Sequence, residues 1–357
     1  MESKEPGFLG ANAVEAVKNS KRAPLPYPNG WYLLAPSSAV PPGAVATRQL
    51  MREDLVIYRT DSGIAKVIRP YCPHLGAHLG CGGWVDGENI VCPFHQFSFN
   101  LDGDVSRSGP GYSGDIVQGR LTSLQSDEVN GGIFVWVGSG AELPPWRIPP
   151  LLPAMSTPLK WAPVMAVRSH PQEICENSVD IGHIRALHRL PEAVFISPPV
   201  MEQHRYSITM EVARFVPLLG HATFEIKTTL YGMGVFHVVI SEPRIGLKLT
   251  ALVYPSPVEP WRVHLSVSTS ALLAPSRGLA KHLPAPVIKA LIHSFAPVHR
   301  RFVMRDVRRD AVIWDGKRYT TPPRIAKGDG PIGGFRHWAS QFYPGGSSEE
   351  GVGPQID

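Results

Sequence analysis

Two periods of apolar and polar alternation run along the chain, and the change between them divides it. From Gly30 to Gly138 short apolar runs recur between turn residues: Trp31 to Leu34, Val56 to Arg59, Ile64 to Ile68 and Ile133 to Val137. Runs of this length, bounded by Gly, Pro, Asn and Asp, predict short strands. Residues 141–154 then bring Pro144, Pro145, Pro149, Pro150 and Pro153, a stiff stretch that predicts a boundary. Beyond it the pattern predicts a strand near Trp161 to Val167 and a helix over Pro171 to Leu187. Strands recur between about 203 and 272. Within them Phe224, Ile226, Thr228 and Leu230 alternate with Glu225, Lys227 and Thr229, the signature of a half-buried strand. A long helix is predicted from roughly Ala285 to Trp314.

These elements predict an α+β chain with two folded parts. Residues 29–145 form a small antiparallel β-domain that presents loops. Residues 146–343 form a sheet gripping a long helix, with an apolar cavity between them. Residues 1–28 read as a peripheral arm ending in Pro24-Leu-Pro-Tyr-Pro28, and the Gly/Ser-rich residues 344–357 as a flexible tail.

Composition narrows the class. With 43% hydrophobic and 18% charged residues, the 357-residue chain is an ordinary globular protein with ample core. Of the four cysteines two or three would be committed to metal binding, which leaves no disulfide framework, so a reducing compartment, the cytoplasm, is expected. Lys4, Lys18, Lys21 and Arg22 are not followed by the apolar core of a signal peptide, and no run approaches the ~20 residues of a spanning helix. The net charge of +5 is uneven: residues 29–145 are net −4 and the remainder +9. Much of the excess lies at His299-Arg300-Arg301 and from Arg305 to Arg309, where Asp306 and Asp310 interrupt it. A solvated face or a subunit contact is the reading; a nucleic-acid partner is not expected.

Two glycine patterns, Gly109-Pro-Gly111-Tyr-Ser-Gly114 and Gly328-Asp-Gly330-Pro-Ile-Gly333, fit G-x-G-x-x-G. Neither is expected to follow a strand and open a helix, and each holds a proline where a phosphate cradle needs N–H groups. They read as turns, so no nicotinamide or flavin site is expected in the chain itself.

The residues with most chemical content are Cys72-Pro-His74 and Cys92-Pro-Phe-His95. Two Cys and two His can hold a [2Fe–2S] cluster, thiolates on one iron and imidazoles on the other. Neutral imidazole makes its iron the easier one to reduce. Zinc also accepts this donor set, but its pairs usually keep like ligands together, Cys with Cys and His with His. Here each tight pair is mixed, which favours the cluster. Cys81 reads as a small buried residue and His78 as a loop histidine with a local hydrogen bond.

A second donor group follows. Asp180, His183 and His188 are spaced D-x2-H-x4-H. Two histidines and a carboxylate on one face of a ferrous ion leave positions for dioxygen. Residues five apart on a regular helix differ by about 140° in direction, so His183 and His188 can share a metal only if the helix widens or ends between them. The third ligand must come from elsewhere. Asp306 and Asp310 both fall on the apolar stripe of Phe302, Val303, Val307, Ile313 and Trp314, and an acid there is costly unless paired or metal-bound. Spacing alone leaves both open; Asp306 can instead pair with Arg301, Arg305 or Arg309.

The stretches Tyr71-Cys72-Pro73-His74-Leu75-Gly76-Ala77-His78-Leu79 and Cys92-Pro93-Phe94-His95 resemble the cluster loops of Rieske proteins. Gln96-Phe97 departs from the usual Gly or Asp followed by Trp. Asp310-Ala-Val-Ile-Trp314, Lys317-Arg-Tyr319 and the run from Asp329 to Tyr343 resemble the tail of 3-ketosteroid 9α-hydroxylase oxygenases, shared by cholesterol 7-desaturases. The resemblance, to Rieske non-heme iron oxygenases, covers about Gly30 to Tyr343.

It implies a Rieske [2Fe–2S] domain held by Cys72, His74, Cys92 and His95, followed by a helix-grip (START-like) catalytic domain with mononuclear Fe(II). It places the iron carboxylate at Asp310. Asp180 matches a residue that bridges a cluster histidine of one subunit to an iron-ligand histidine of the next, in a head-to-tail homotrimer; its simpler role is a helix cap. Asn177 matches a residue near the iron. The implied activity is O2-dependent hydroxylation of an apolar, steroid- or sterol-like substrate. Electrons come from NAD(P)H through a reductase, with or without a ferredoxin. Desaturation or oxidative demethylation would use the same centres, and a non-catalytic electron carrier or lipid-binding protein is the remote alternative. Val194, Phe195, Phe215, Phe224 and Phe236 are candidate pocket walls.

Overall fold

A computed structural model describes residues 25–112, 119–138, 143–216, 220–273 and 281–343. The N-terminal part holds ten short strands: β1 (Gly30–Pro36), β2 (Val45–Leu50), β3 (Glu53–Arg59), β4 (Ala65–Ile68), β5 (Trp84–Asp86), β6 (Asn89–Val91), β7 (Ser98–Phe99), β8 (Val105–Arg107), β9 (Ser126–Val129) and β10 (Gly132–Val137). They form three antiparallel sheets, ordered β1-β10-β9, β2-β3-β4 and β5-β6-β7-β8. Successive side chains of a strand point to opposite faces, and β3 uses both. Leu55 and Ile57 pack with Tyr32, Val67 and Ile133, while Val56 and Tyr58 pack with Cys72, Leu79, Cys92 and Phe97. The second of these cores supports both Cys/His loops.

The C-terminal part begins with β11 (Lys160–Trp161), β12 (Met165–Val167), α1 (Pro171–Glu176) and α2 (Ile181–Ala186). The strands β13 (Val194–Phe195), β14 (Val200–Glu202), β15 (Arg205–Val216), β16 (Gly220–Tyr231), β17 (Val235–Glu242), β18 (Leu247–Glu259) and β19 (Arg262–Leu273) follow, then α3 (Ala285–Gly316) and α4 (Ile332–Ser340). Nine strands make one antiparallel sheet ordered β11-β19-β18-β17-β16-β15-β13, with β12 on β19 and β14 on β15. One face carries α3, where Met304, Val307 and Trp314 pack on Val253, Val263 and Leu265. The other face meets the N-terminal part, where Leu252 and Tyr254 pack with Trp31 and Phe134. In β16 Glu225 and Lys227 are exposed, and Thr228 and Leu230 buried, as the alternation predicts. Thr229 is buried too, its hydroxyl accepting from Ser207 at 3.1 Å, and Tyr231, two residues on, packs with Trp31 and Phe134 of the N-terminal part.

Several sequence expectations change here. The helix over 171–187 is two helices, because Asp180 caps a new helix there, its side chain accepting from His183 N–H at 3.0 Å. The strand near 161–167 is likewise two, split around Pro163, which cannot donate to a ladder. On α3, Phe302 and Ile313 are 40% and 49% exposed, so its buried stripe is narrower than the sequence suggested. Cys81 is exposed, held in a turn whose N–H donates to His78 O. Gly333 lies inside α4, so the second glycine pattern is not wholly a turn as expected but opens a helix; no strand leads into it, which the dinucleotide motif would require. No helix among the described residues is long and apolar enough to cross a membrane. The arm up to residue 24 and the tail from 344 lie outside the described residues.

Candidate metal centres

The two Cys/His loops share one hydrogen-bond plan. Gly76 N–H donates to Cys72 O, and Cys72 N–H to Ala77 O, both at 2.9 Å. Gln96 N–H donates to Cys92 O at 3.0 Å, and Cys92 N–H to Phe97 O at 2.9 Å. Each loop needs a left-handed residue four places after its cysteine. Gly76 has φ 75° and Gln96 has φ 60°. Glycine adopts this freely, whereas it costs an L side chain roughly 1–2 kcal/mol.

The loops face each other so that like donors meet. The His74 and His95 rings lie 4.7 Å apart. Cys72 and Cys92 are both buried and free. Burial pushes the Cys72 thiol up to about 11, and the neighbouring Cys92 thiol adds to the rise. The mixed pairs of the sequence thus become thiol beside thiol and imidazole beside imidazole, which suits a dinuclear cluster with two Cys on one iron and two His on the other. The His74 Nδ1 atom is buried without a hydrogen-bond partner. Tyr112 sets its ring 5.7 Å from His74 and 5.8 Å from His95, and Phe97 lies 4.8 Å from His74. Gly109, from the first glycine pattern, presses on the second loop: a Cβ there would sit 1.6 Å from His95 O. Its role is close packing. His78 makes the expected local bond, its Nδ1 accepting from Gly80 N–H at 3.1 Å.

The second group forms where α2 ends. His183 lies within α2 and His188 two residues beyond it. Leu187 N–H and His188 N–H both approach His183 O, at 2.7 and 3.3 Å, so the last turn widens as the helix stops. The two rings come to 5.0 Å. Asp310 enters from α3, and ligand atoms of His183, His188 and Asp310 all lie within 4.8 Å of one another. His183 Nδ1–H donates to Asp180 O at 2.5 Å, leaving the Nε2 lone pair free. Burial lowers the His183 pKa against the opposing pull of Asp310 and Asp180, which favours that neutral form. His188 Nδ1 and Asp310 Oδ1 are buried without hydrogen-bond partners. A buried acid oxygen without a partner, converging with two imidazoles, is what a cation would satisfy.

Asp306 is spoken for elsewhere. Its Oδ1 meets Arg305 at 2.9 Å and stands 3.8 Å from His188 Nδ1. Asp180 caps α2, its Oδ1 accepting from His183 N–H at 3.0 Å, and its side chain stays 32% exposed. Asn177 is the half-buried residue that ends α1. Among the candidate pocket walls, Phe195 and Phe236 each join two apolar clusters, Val194 is 44% exposed, and Phe215 lies outside the described side chains. Sequence reasoning gave no role to Glu173, Glu176 or Arg336, which are linked behind α1. The signal was there: acids in a six-residue helix, and an arginine between Phe335 and Trp338.

Two family profiles match the chain. The one described as Rieske [2Fe-2S] domain matches residues 30–114, and the one described as 3-Ketosteroid 9alpha-hydroxylase C-terminal domain matches residues 135–343. The chain belongs to the Rieske non-heme iron oxygenases. As a Rieske oxygenase it is an oxidoreductase with a [2Fe–2S] cluster and a non-heme iron, working with a reductase and a substrate. The cholesterol 7-desaturase of Bombyx mori is 30% identical over 342 residues, spanning 93% of this chain and 73% of that protein. That of Drosophila melanogaster is 30% identical over 360 residues, 94% and 80%. The 3-ketosteroid-9-alpha-monooxygenase oxygenase component of Rhodococcus rhodochrous is 23% identical over 342 residues, 90% and 82%. In fold, this Rieske oxygenase is similar to dicamba monooxygenase bound to dicamba, with a TM-score of 0.63 at 15% identity over 88% of this chain and 96% of that one.

Proposed function

We propose that the chain is the terminal oxygenase of a steroid- or sterol-oxidising system. In this reading Cys72, His74, Cys92 and His95 hold the cluster, and His183, His188 and Asp310 hold the iron. The observation that carries it is the convergence of those last three donors within 4.8 Å, in a chain whose Cys/His loops pair thiol with thiol and imidazole with imidazole. When bound, the cluster supplies single electrons and the iron activates dioxygen.

The chain's own residues do the rest. The Asp180 carbonyl holds the Nδ1 proton of His183, so that Nε2 is the atom that would hold the iron. The Asp180 carboxylate, partly exposed, is available to His74 or His95 of a neighbouring copy in a head-to-tail homotrimer. Exposed Tyr71, Leu75 and Phe94 beside the cluster loops support such a contact, as does the charge difference between residues 29–145 and the remainder. Asn177, at the end of α1 ahead of Asp180, would lie near the iron. The functional division falls near residue 145, and the four free cysteines suit a reducing cytoplasm.

The test is a product screen with steroids, sterols and aromatic acids, using a surrogate reductase, NADH and isotopically labelled O2. A steroid or sterol product carrying one labelled oxygen is expected; turnover of aromatic acids alone would reject the substrate class. A second reading is desaturation. It is favoured by the 30% identity to the cholesterol 7-desaturases of Bombyx mori and Drosophila melanogaster against 23% to the monooxygenase component. A product two hydrogens lighter, with no label, would establish it.

A further inference from the structure

The segment from Lys317 to Tyr343 supplies none of the proposed ligands, yet it grips the segment that does. Arg336 meets Glu176 at two points, Nε to Oε2 at 2.6 Å and Nη2 to Oε1 at 3.0 Å, and the side chains are only 14% and 6% exposed. Arg336 Nη1 donates to Thr320 O at 2.6 Å, and the guanidinium lies 4.6 Å over the Tyr319 ring. Tyr319 OH accepts from Gln172 Nε2 at 3.2 Å. Lys317 Nζ stands 3.5 Å from Glu173 and 3.6 Å from Glu176. Further on, Gly330 packs so closely that a Cβ there would lie 2.1 Å from Val179 O.

Every residue of α1 is buried, including both glutamates. Buried charge is expensive, and a packed apolar pair would hold two elements together at less cost. An apolar contact does not fix direction, however. A planar guanidinium meeting a carboxylate at two points sets both distance and angle. Glu176 is the last residue of α1. The turn that follows it, 177–180, ends in the cap of α2, and α2 carries His183.

We propose that Arg336 is a positioning residue for the iron site. Through Glu176 it orients the 177–180 turn, and so sets where Asp180 and His183 stand. This rests on the proposed iron ligands, and the experiment separates the two claims. Full-length, cluster-loaded protein is prepared as wild type, Arg336→Lys and Arg336→Gln. The lysine variant keeps the charge and loses the fork; the glutamine variant loses both. Cluster absorbance and the paramagnetic signal of the reduced cluster report folding. The signal of the ferrous nitrosyl adduct reports iron-ligand geometry, and peroxide released per NADH reports misdirected electrons.

Both variants should keep the wild-type cluster spectra and change the shape of the nitrosyl signal. Product formation should fall about tenfold, as expected when reacting groups are displaced by a fraction of an ångström, with a matching rise in peroxide per NADH. A lysine variant with the wild-type nitrosyl signal and wild-type product per NADH overturns the proposal. If the glutamine variant does not fold, the lysine variant decides. A wild-type protein that binds iron and gives no nitrosyl signal rejects the ligand assignment itself, and the role of Arg336 with it.

Discussion

His188 Nε2 and Asp310 Oδ1 stand 3.2 Å apart, yet the Asp310 oxygen has no hydrogen-bond partner. The contact is close enough for an ion pair but lacks hydrogen-bond geometry, and a donor atom of His183 lies within 4.8 Å of both residues' donors. A buried acid left this way costs stability unless a cation binds there.

Removal of any one of the three donors gathered here, His183, His188 or Asp310, should therefore separate the two centres. His183→Ala and Asp310→Ala are expected to lower bound iron from about three to about two per chain and to abolish turnover, while the cluster keeps its visible spectrum. Iron analysis and absorbance check this. A bleached spectrum in either variant would contradict the division of ligands.

The cluster loops give the converse. Cys92→Ala should lose the colour altogether, since the thiol that faces Cys72 is gone. Exposed Cys81 changed to Ser should leave the colour intact. Loss of absorbance in the Cys81 variant would mean that the wrong thiols have been assigned.

Gln96 occupies the backbone position that Gly76 occupies in the first loop. Gln96→Gly should relieve left-handed strain and stabilise the protein by about 1 kcal/mol, read from denaturant midpoints. No gain, or a loss, would mean that the Gln96 side chain makes a compensating contact.

Asp180 caps α2 and is also the proposed electron bridge, and two substitutions separate these roles. Asp180→Asn keeps a capping oxygen and should leave the melting temperature nearly unchanged, whereas Asp180→Ala should cost about 1 kcal/mol. Both should slow steady-state turnover about tenfold or more, equivalent to ~1.4 kcal/mol of barrier. An asparagine variant with full turnover would leave the cap as the only role.

Stability should fall on mild acidification. Burial lowers His170 to about 4 and, with Lys227 adding to the effect, lowers His237 to about 4 as well. Unfolded histidine titrates near 6.5, so between pH 6.5 and 4 the unfolded chain binds more protons than the folded one. The stability of these neutral rings is present above pH 6.5 and lost as pH falls toward 4, at up to ~1.4 kcal/mol per pH unit for each. His237→Leu should flatten the pH dependence of thermal unfolding over this window; an unchanged slope would reject its contribution.

Much of this protein could be read from the order of its residues. Donor chemistry is local: Cys72-Pro-His74 and Cys92-Pro-Phe-His95 declare their ligands by type and spacing, and the alternation in β16 declares a strand by period. The break in the 171–187 helix was less legible, because Asp180 can either sit within a helix or cap a new one, and the neighbouring residues do not say which. Exposure of Cys81 and of Phe302 was also hidden, since apolar character says what a residue favours and not which neighbours reach it.

The sequence by itself determined which atoms can bind metal and, through the short period of its apolar runs, that a β-rich scaffold would carry them. Only the tertiary structure decided which of these atoms meet. Asp310 joins His183 and His188 while Asp306, four residues away, turns to Arg305; Glu176 and Arg336 find each other across 160 positions of chain. Such choices depend on how α3 and the C-terminal segment pack around α1 and α2, and packing is a property of surfaces brought together, which no window of sequence contains.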